Sequence, residues 1–133
     1  MKIAELRAIS AAEAERLRAA GVESDKDLVE RACDLDGRKQ LAARSGIPEE
    51  RLLAGINEID LVNLPGVGRE YARLLKAAGV SSCAELARRD PRHLSELISD
   101  LAAARATVRH APSPTEVARW IDQAKELAAR IEH

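Results

Sequence analysis

The chemistry most legible in this chain belongs to its backbone. Leu64-Pro65-Gly66-Val67-Gly68 sets two glycines in a tight turn between two runs that read as helix, Asn57 to Val62 before it and Arg69 to Ala78 after it. Glycine adopts positive φ without steric cost and carries no side chain to block an approaching ligand. A Gly-Val-Gly turn that opens a helix leaves several N–H groups unpaired and pointing outward, a small anion site able to hold one phosphate. Arg69, Arg73 and Lys76 follow at spacings of four and then three, so they share one helix face and would reach adjacent phosphates. The same glycines have a plainer use, which is to permit the turn and bind nothing.

Other constellations offer less. His93, His110 and His133 are scattered, with no metal-ligand spacing. No Cys–His or Ser–His arrangement is suggested, so no catalytic residue, enzymatic activity or cofactor is expected. Cys33 and Cys83 lie far apart without a CxxC spacing. The N-terminus has no apolar leader region, and no apolar run approaches the length of a membrane span. The expectation is a reduced, cytoplasmic protein with two ordinary thiols and no membrane association.

Composition sets the class. The chain has 133 residues, which suits one domain, with 46% apolar and 32% charged residues. With one Trp, one Tyr and no Phe, its core must be built from Leu, Ile, Val and Ala. An Ala-rich core favours close helix packing and an all-α fold. The net charge of −1 excludes a uniformly basic nucleic-acid coat. Charge is nonetheless uneven: residues 1–61 carry −3, residues 62–112 carry +3 and residues 113–133 carry −1. The positive segment contains the glycine turn.

The elements that must position this turn are well punctuated. Leu17 to Arg31 matches Leu75 to Arg89 at an offset of 58, with eight of fifteen positions identical. Extended backwards, Leu6 pairs with Leu64 and Ile9 with Val67, but Ala8 stands against Gly66 and Ser10 against Gly68. Ser10-Ala-Ala-Glu13, Ser82-Cys-Ala-Glu85 and Ser113-Pro-Thr-Glu116 read as capping boxes, and Ser24 with Asp27 as a weaker one. Gly21 and Gly79 fit helix C-terminal caps. Pro91 and Pro114 fit first helical positions. No alternating β-branched run occurs. These signals predict helices over 2–7, 10–20, 24–33, 37–45, 48–61, 68–78, 82–89, 91–104 and 114–131. The last carries Val117, Trp120, Ile121, Ala124, Leu127, Ala128 and Ile131 as an apolar stripe, which reads as a covering helix or, alternatively, a docking face.

Leu64-Pro65-Gly66-Val67-Gly68, followed by Ala72, Leu75 and Gly79, resembles the helix-hairpin-helix motif of DNA repair, recombination and replication proteins. The close match covers about 25 residues. The repeat extends it to a tandem pair whose first copy, Leu6 to Ser10, is degenerate. Over its whole length the chain resembles an uncharacterised bacterial family of such tandem proteins. The resemblance implies an all-α fold: a degenerate repeat over 1–35, a linker helix over 36–47, a second repeat over 48–90 and C-terminal helices over 91–133. It implies sequence-independent contact with DNA backbone phosphate by the N–H groups of Gly66, Gly68 and Arg69 around Val67, supported by Arg73 and Lys76. It also implies a monovalent cation held by the carbonyls of Val62, Leu64 and Val67. Related helical domains serve as protein-interaction adaptors, the alternative function.

Two further segments bear on partners. Leu41 to Leu52 resembles part of a helix-turn-helix, but Pro48, Glu49 and Glu50 stand where a recognition helix needs base-reading groups. A linker helix pair is the simpler reading. Arg88-Arg89-Asp90-Pro91-Arg92 is a basic cluster at a helix start, a solvated face or an extension of the Arg69 surface.

Overall fold

The computed structural model describes residues 2–105 and 111–133, so His110 lies outside the described residues. The chain is all-α: among the described residues there are eight helices and two single 3-10 turns, and no strand. The helices are α1 (Ala11–Ala19), α2 (Asp25–Ala32), α3 (Leu35–Ser45), α4 (Glu49–Asn63), α5 (Gly68–Ala77), α6 (Cys83–Ala87), α7 (Pro91–Arg105) and α8 (Pro114–Leu127). The 3-10 turns are Ile3–Glu5 and Ala128–Arg130.

Capping chemistry accounts for most boundaries. Ser10 with Glu13, Ser24 with Asp27, and Ser113 with Glu116 form reciprocal capping boxes. At Ser82 only half the box closes. Its hydroxyl accepts from the Glu85 N–H at 3.1 Å, while the Glu85 carboxylate is drawn to the Ser81 and Ser82 hydroxyls. Helix α3 starts two residues earlier than expected because Asp34 caps it, its carboxylate accepting from the Gly37 N–H at 2.6 Å. Gly37 is required there for space: a Cβ would lie 2.4 Å from the Arg31 carbonyl oxygen. The helix expected over 2–7 is only the 3-10 turn Ile3–Glu5. Lys2 supplies no side-chain cap and Leu6 is already extended, so too few residues remain to repay helix nucleation.

The sequence repeat has a matching local structure. Helices α1 and α5 both end on a glycine with φ near +90°, Gly21 and Gly79. In each, the next N–H closes the turn: Val22 to the Leu17 carbonyl at 2.9 Å, and Val80 to the Leu75 carbonyl at 2.8 Å. Arg31 donates to the Ala20 carbonyl at 3.3 Å and Arg89 to the Ala78 carbonyl at 2.6 Å. The spacing that Arg31 and Arg89 share within the repeat thus serves helix termination. Arg89 is therefore not a free member of the basic cluster, whereas Arg88 and Arg92 are exposed.

The chain divides into two compact units, Met1–Ile59 with Arg130–His133, and Asp60–Ala129. The first buries Ile3, Leu6, Ile9, Leu17, Leu28, Leu41, Leu52 and Ile56 among others, and Ile131 joins them. The second buries Leu64, Val67, Leu74, Leu75, Leu86, Ile98, Val117 and Trp120 among others. Each such aliphatic side chain contributes about 1.5–3 kcal/mol on leaving water. In the second unit α8 packs on α6 and α7.

Candidate oxyanion-binding turns

The turn at residues 64–68 is fixed from beneath. Leu64 and Val67 are buried, and the Val67 N–H donates to the Leu64 carbonyl at 3.0 Å. Val67 therefore holds the turn, and its N–H is not offered outward. Gly66 and Gly68 have φ of +87° and +65°, conformations that a side chain would strain. Both are exposed, and neither N–H meets a protein acceptor among the described residues. A Cβ on Gly68 would enter open space, while one on Gly66 would come within 3.3 Å of the Trp120 indole nitrogen. Arg69, Arg73 and Lys76 are all exposed on α5, together with Glu70. The Leu64 carbonyl already accepts one hydrogen bond, and Val62 is half-buried.

Leu6 to Ser10 occupies the matching place in the first unit, and it is filled. The Arg7 N–H donates to Glu58 Oε2 and the Ala8 N–H to Glu58 Oε1, both at 2.9 Å. One carboxylate is thus gripped by two successive backbone amides, a charge-assisted arrangement. The Ala8 carbonyl accepts from Arg51 Nη2 at 3.1 Å. Arg51 also pairs with the buried Glu13 carboxylate, which accepts from the Ser10 N–H at 2.9 Å. The Arg51 guanidinium is the main cause that holds Glu13 down at about 2, against an ordinary 4.5, with burial opposing and the Ser10 N–H assisting.

The two units differ in what surrounds their turns. Buried Leu52, Gly55, Ile56 and Ile59 on α4 have the same spacing as buried Val117, Trp120, Ile121 and Ala124 on α8. In that register Glu58 corresponds to Gln123, and Arg51 to Glu116. Gln123 Oε1 is buried without a hydrogen-bond partner among the described residues. Tyr71 stands in the second unit where Glu13 stands in the first, and it stacks obliquely on Trp120, ring centroids 5.2 Å apart. Burial first, then the Glu116 charge, push the Tyr71 phenol above its ordinary 10.0.

Sequence reasoning did not find Glu58. It lies about fifty residues from the amides it binds, and one glutamate in an amphipathic helix carries no local signal. Among the other candidates, His93 is exposed and His133 lies 3.3 Å from the Asn57 carbonyl oxygen. Neither Cys33 nor Cys83 is in a disulfide. Among the described residues no cluster of His, Cys, Asp or Glu could hold a metal ion, and no helix is long and apolar enough to cross a membrane.

A family model described as a domain of unknown function (DUF4332) matches residues 7–127, a span that includes the second turn and all of the first but Leu6. The chain belongs to that family. No curated protein and no solved structure matches it. The DUF4332 match begins at Arg7, within the first turn, and ends at Leu127, the last residue of α8.

Proposed function

We propose that this DUF4332 protein is a small non-enzymatic binding module that contacts nucleic-acid backbone phosphate, without reading sequence, through a helix-hairpin-helix turn at residues 64–68. One observation carries the reading: the matching turn of the first unit holds an oxyanion, the Glu58 carboxylate, on two backbone N–H groups, while the second turn, where Pro65 stands against Arg7 and offers no N–H, keeps Gly66 and Gly68 exposed as its donors. A turn of this kind suits a phosphate oxygen for the same electrostatic reason. Arg69, Arg73 and Lys76 add positive charge on the adjoining helix face, and the segment 62–112 carries a net +3. The carbonyls of Val62, Leu64 and Val67 would accept a monovalent cation between protein and phosphate. Such contacts position a duplex but do not specify bases.

Binding through about three phosphates predicts a slope of roughly −2 to −3 in log affinity against log salt. Fluorescence anisotropy with labelled duplex and single-stranded DNA at low and moderate salt measures it. The double variant Arg73→Glu/Lys76→Glu, both exposed positions, should abolish binding at moderate salt with its helical circular dichroism intact. No binding of either DNA at low salt would defeat the reading and favour a protein-interaction adaptor.

A further inference from the structure

We infer that the first turn is an oxyanion site occupied from within, so that the protein presents one external oxyanion site rather than two, and Glu58 is the internal ligand that closes the other. The inference rests on the oxyanion reading of the turns, but not on DNA being the ligand of the second.

The geometry is that of a bound anion. Both carboxylate oxygens of Glu58 are engaged, each at 2.9 Å, by the consecutive N–H groups of Arg7 and Ala8. The Ala8 carbonyl is held by Arg51, so both backbone polar groups of the residue matching Gly66 are used. Arg51, whose charge the Glu13 carboxylate balances, also lines the rim of the turn through its bond to the Ala8 carbonyl. Glu58 itself is half-buried inside α4, where its neighbours Ile56 and Ile59 are fixed in the core, so the carboxylate is delivered by a rigid support. Its effective concentration at the amides far exceeds that of any free phosphate, because the ligand is tethered.

The second unit lacks that device. The residue in the register of Glu58 is Gln123, which has one acceptor oxygen and no charge, and that oxygen meets no donor among the described residues. The loss of both glycines from the first turn agrees with the same division of labour. Ala8 and Ser10 replace Gly66 and Gly68 where no external group needs close approach.

Glu58→Ala should empty the first turn. In 15N-resolved NMR spectra of the full chain titrated with inorganic phosphate, the Arg7 and Ala8 amides of E58A should shift saturably. Those of the unsubstituted protein should not, and chloride at matched ionic strength should move neither. Unresponsive Arg7 and Ala8 amides in a folded E58A, or an equal response without the substitution, would overturn the inference. Should E58A not fold, scalar couplings across the hydrogen bonds, from the Arg7 and Ala8 nitrogens to the Glu58 carboxyl carbon of the unsubstituted protein, decide instead: their presence supports the internal ligand and their absence refutes it. The same spectra report Gly66 and Gly68. A response at Arg7 and Ala8 of E58A without one at Gly66 and Gly68 would leave Glu58 as the internal ligand of the first turn, while the external site, and the proposed function with it, fell.

Discussion

Replacement of Trp120 by alanine lowers the unfolding free energy of the second unit by about 3–5 kcal/mol, the range for deleting a large buried aromatic. Trp120 is only 2% exposed, and it belongs to the cluster that includes Leu64, Val67, Val117 and Ile121. Its indole contacts Tyr71 and lies beneath Gly66, so truncation opens a cavity on the inner side of the second turn. The surrounding helices can collapse only in part, because α8 is fixed against α6 and α7. Trp120→Phe keeps the aromatic body and should recover most of the loss. Urea unfolding followed by circular dichroism checks this, since Trp120 is the only tryptophan and its fluorescence disappears with it. A loss below about 1 kcal/mol would mean that the site is not the packed support described.

The second large effect is on acid stability, through Glu13. Its carboxyl titrates at about 2 in the folded chain against 4.5 ordinarily. A carboxyl with a depressed folded value stabilises the fold above its unfolded value and loses that contribution as pH falls through the folded one. The contribution of Glu13 is therefore complete above about pH 4.5 and gone near pH 2. Glu13→Gln should make the unfolding midpoint fall less between those pH values and should lower it at neutral pH. Glu13→Ala, which leaves the Ser10 N–H uncapped and Arg51 without its carboxylate, should cost about 1–3 kcal/mol at pH 7. Arg51 is partly open to solvent, so water takes up some of the lost bonding. Thermal unfolding from pH 2 to pH 7 makes the comparison. An acid transition identical with and without Glu13 would show that the pair contributes nothing measurable.

The sequence disclosed what is local. Serine and aspartate caps, the glycines at 21 and 79, and the prolines at 91 and 114 act within one helical turn of themselves, and the helices begin or end beside them. The start of α3 was hidden because Gly37 reads as a boundary, although it sits inside the first turn to let the Arg31 carbonyl approach. The exposed glycine turn was likewise legible, because φ above zero at Gly66 and Gly68 is written in residue type. What joins distant segments was not. Arg51 reaches Glu13 and Ala8 across about forty residues, and Glu58 reaches Arg7 and Ala8 across about fifty. Nothing in a helical periodicity distinguishes a glutamate that fills a turn from one that faces water.

The loss of glycine from the first turn reads, in sequence, as decay of a binding loop. With Glu58 seated on its amides, the same loop is a finished structural element whose polar groups are satisfied without an external ligand. The contrast with the second turn then becomes the functional argument: one turn carries its own carboxylate, and the other exposes its amides beside Arg69, Arg73 and Lys76.

The most direct test of that argument is a residue-resolved titration of the 15N-labelled chain with a short DNA duplex at low salt. The account predicts that the Gly66 and Gly68 amide resonances move furthest, that Arg7 and Ala8 stay in place, and that added salt returns Gly66 and Gly68 to their starting positions. Bound DNA that leaves Gly66 and Gly68 unmoved, or a spectrum that does not change at all, would contradict it.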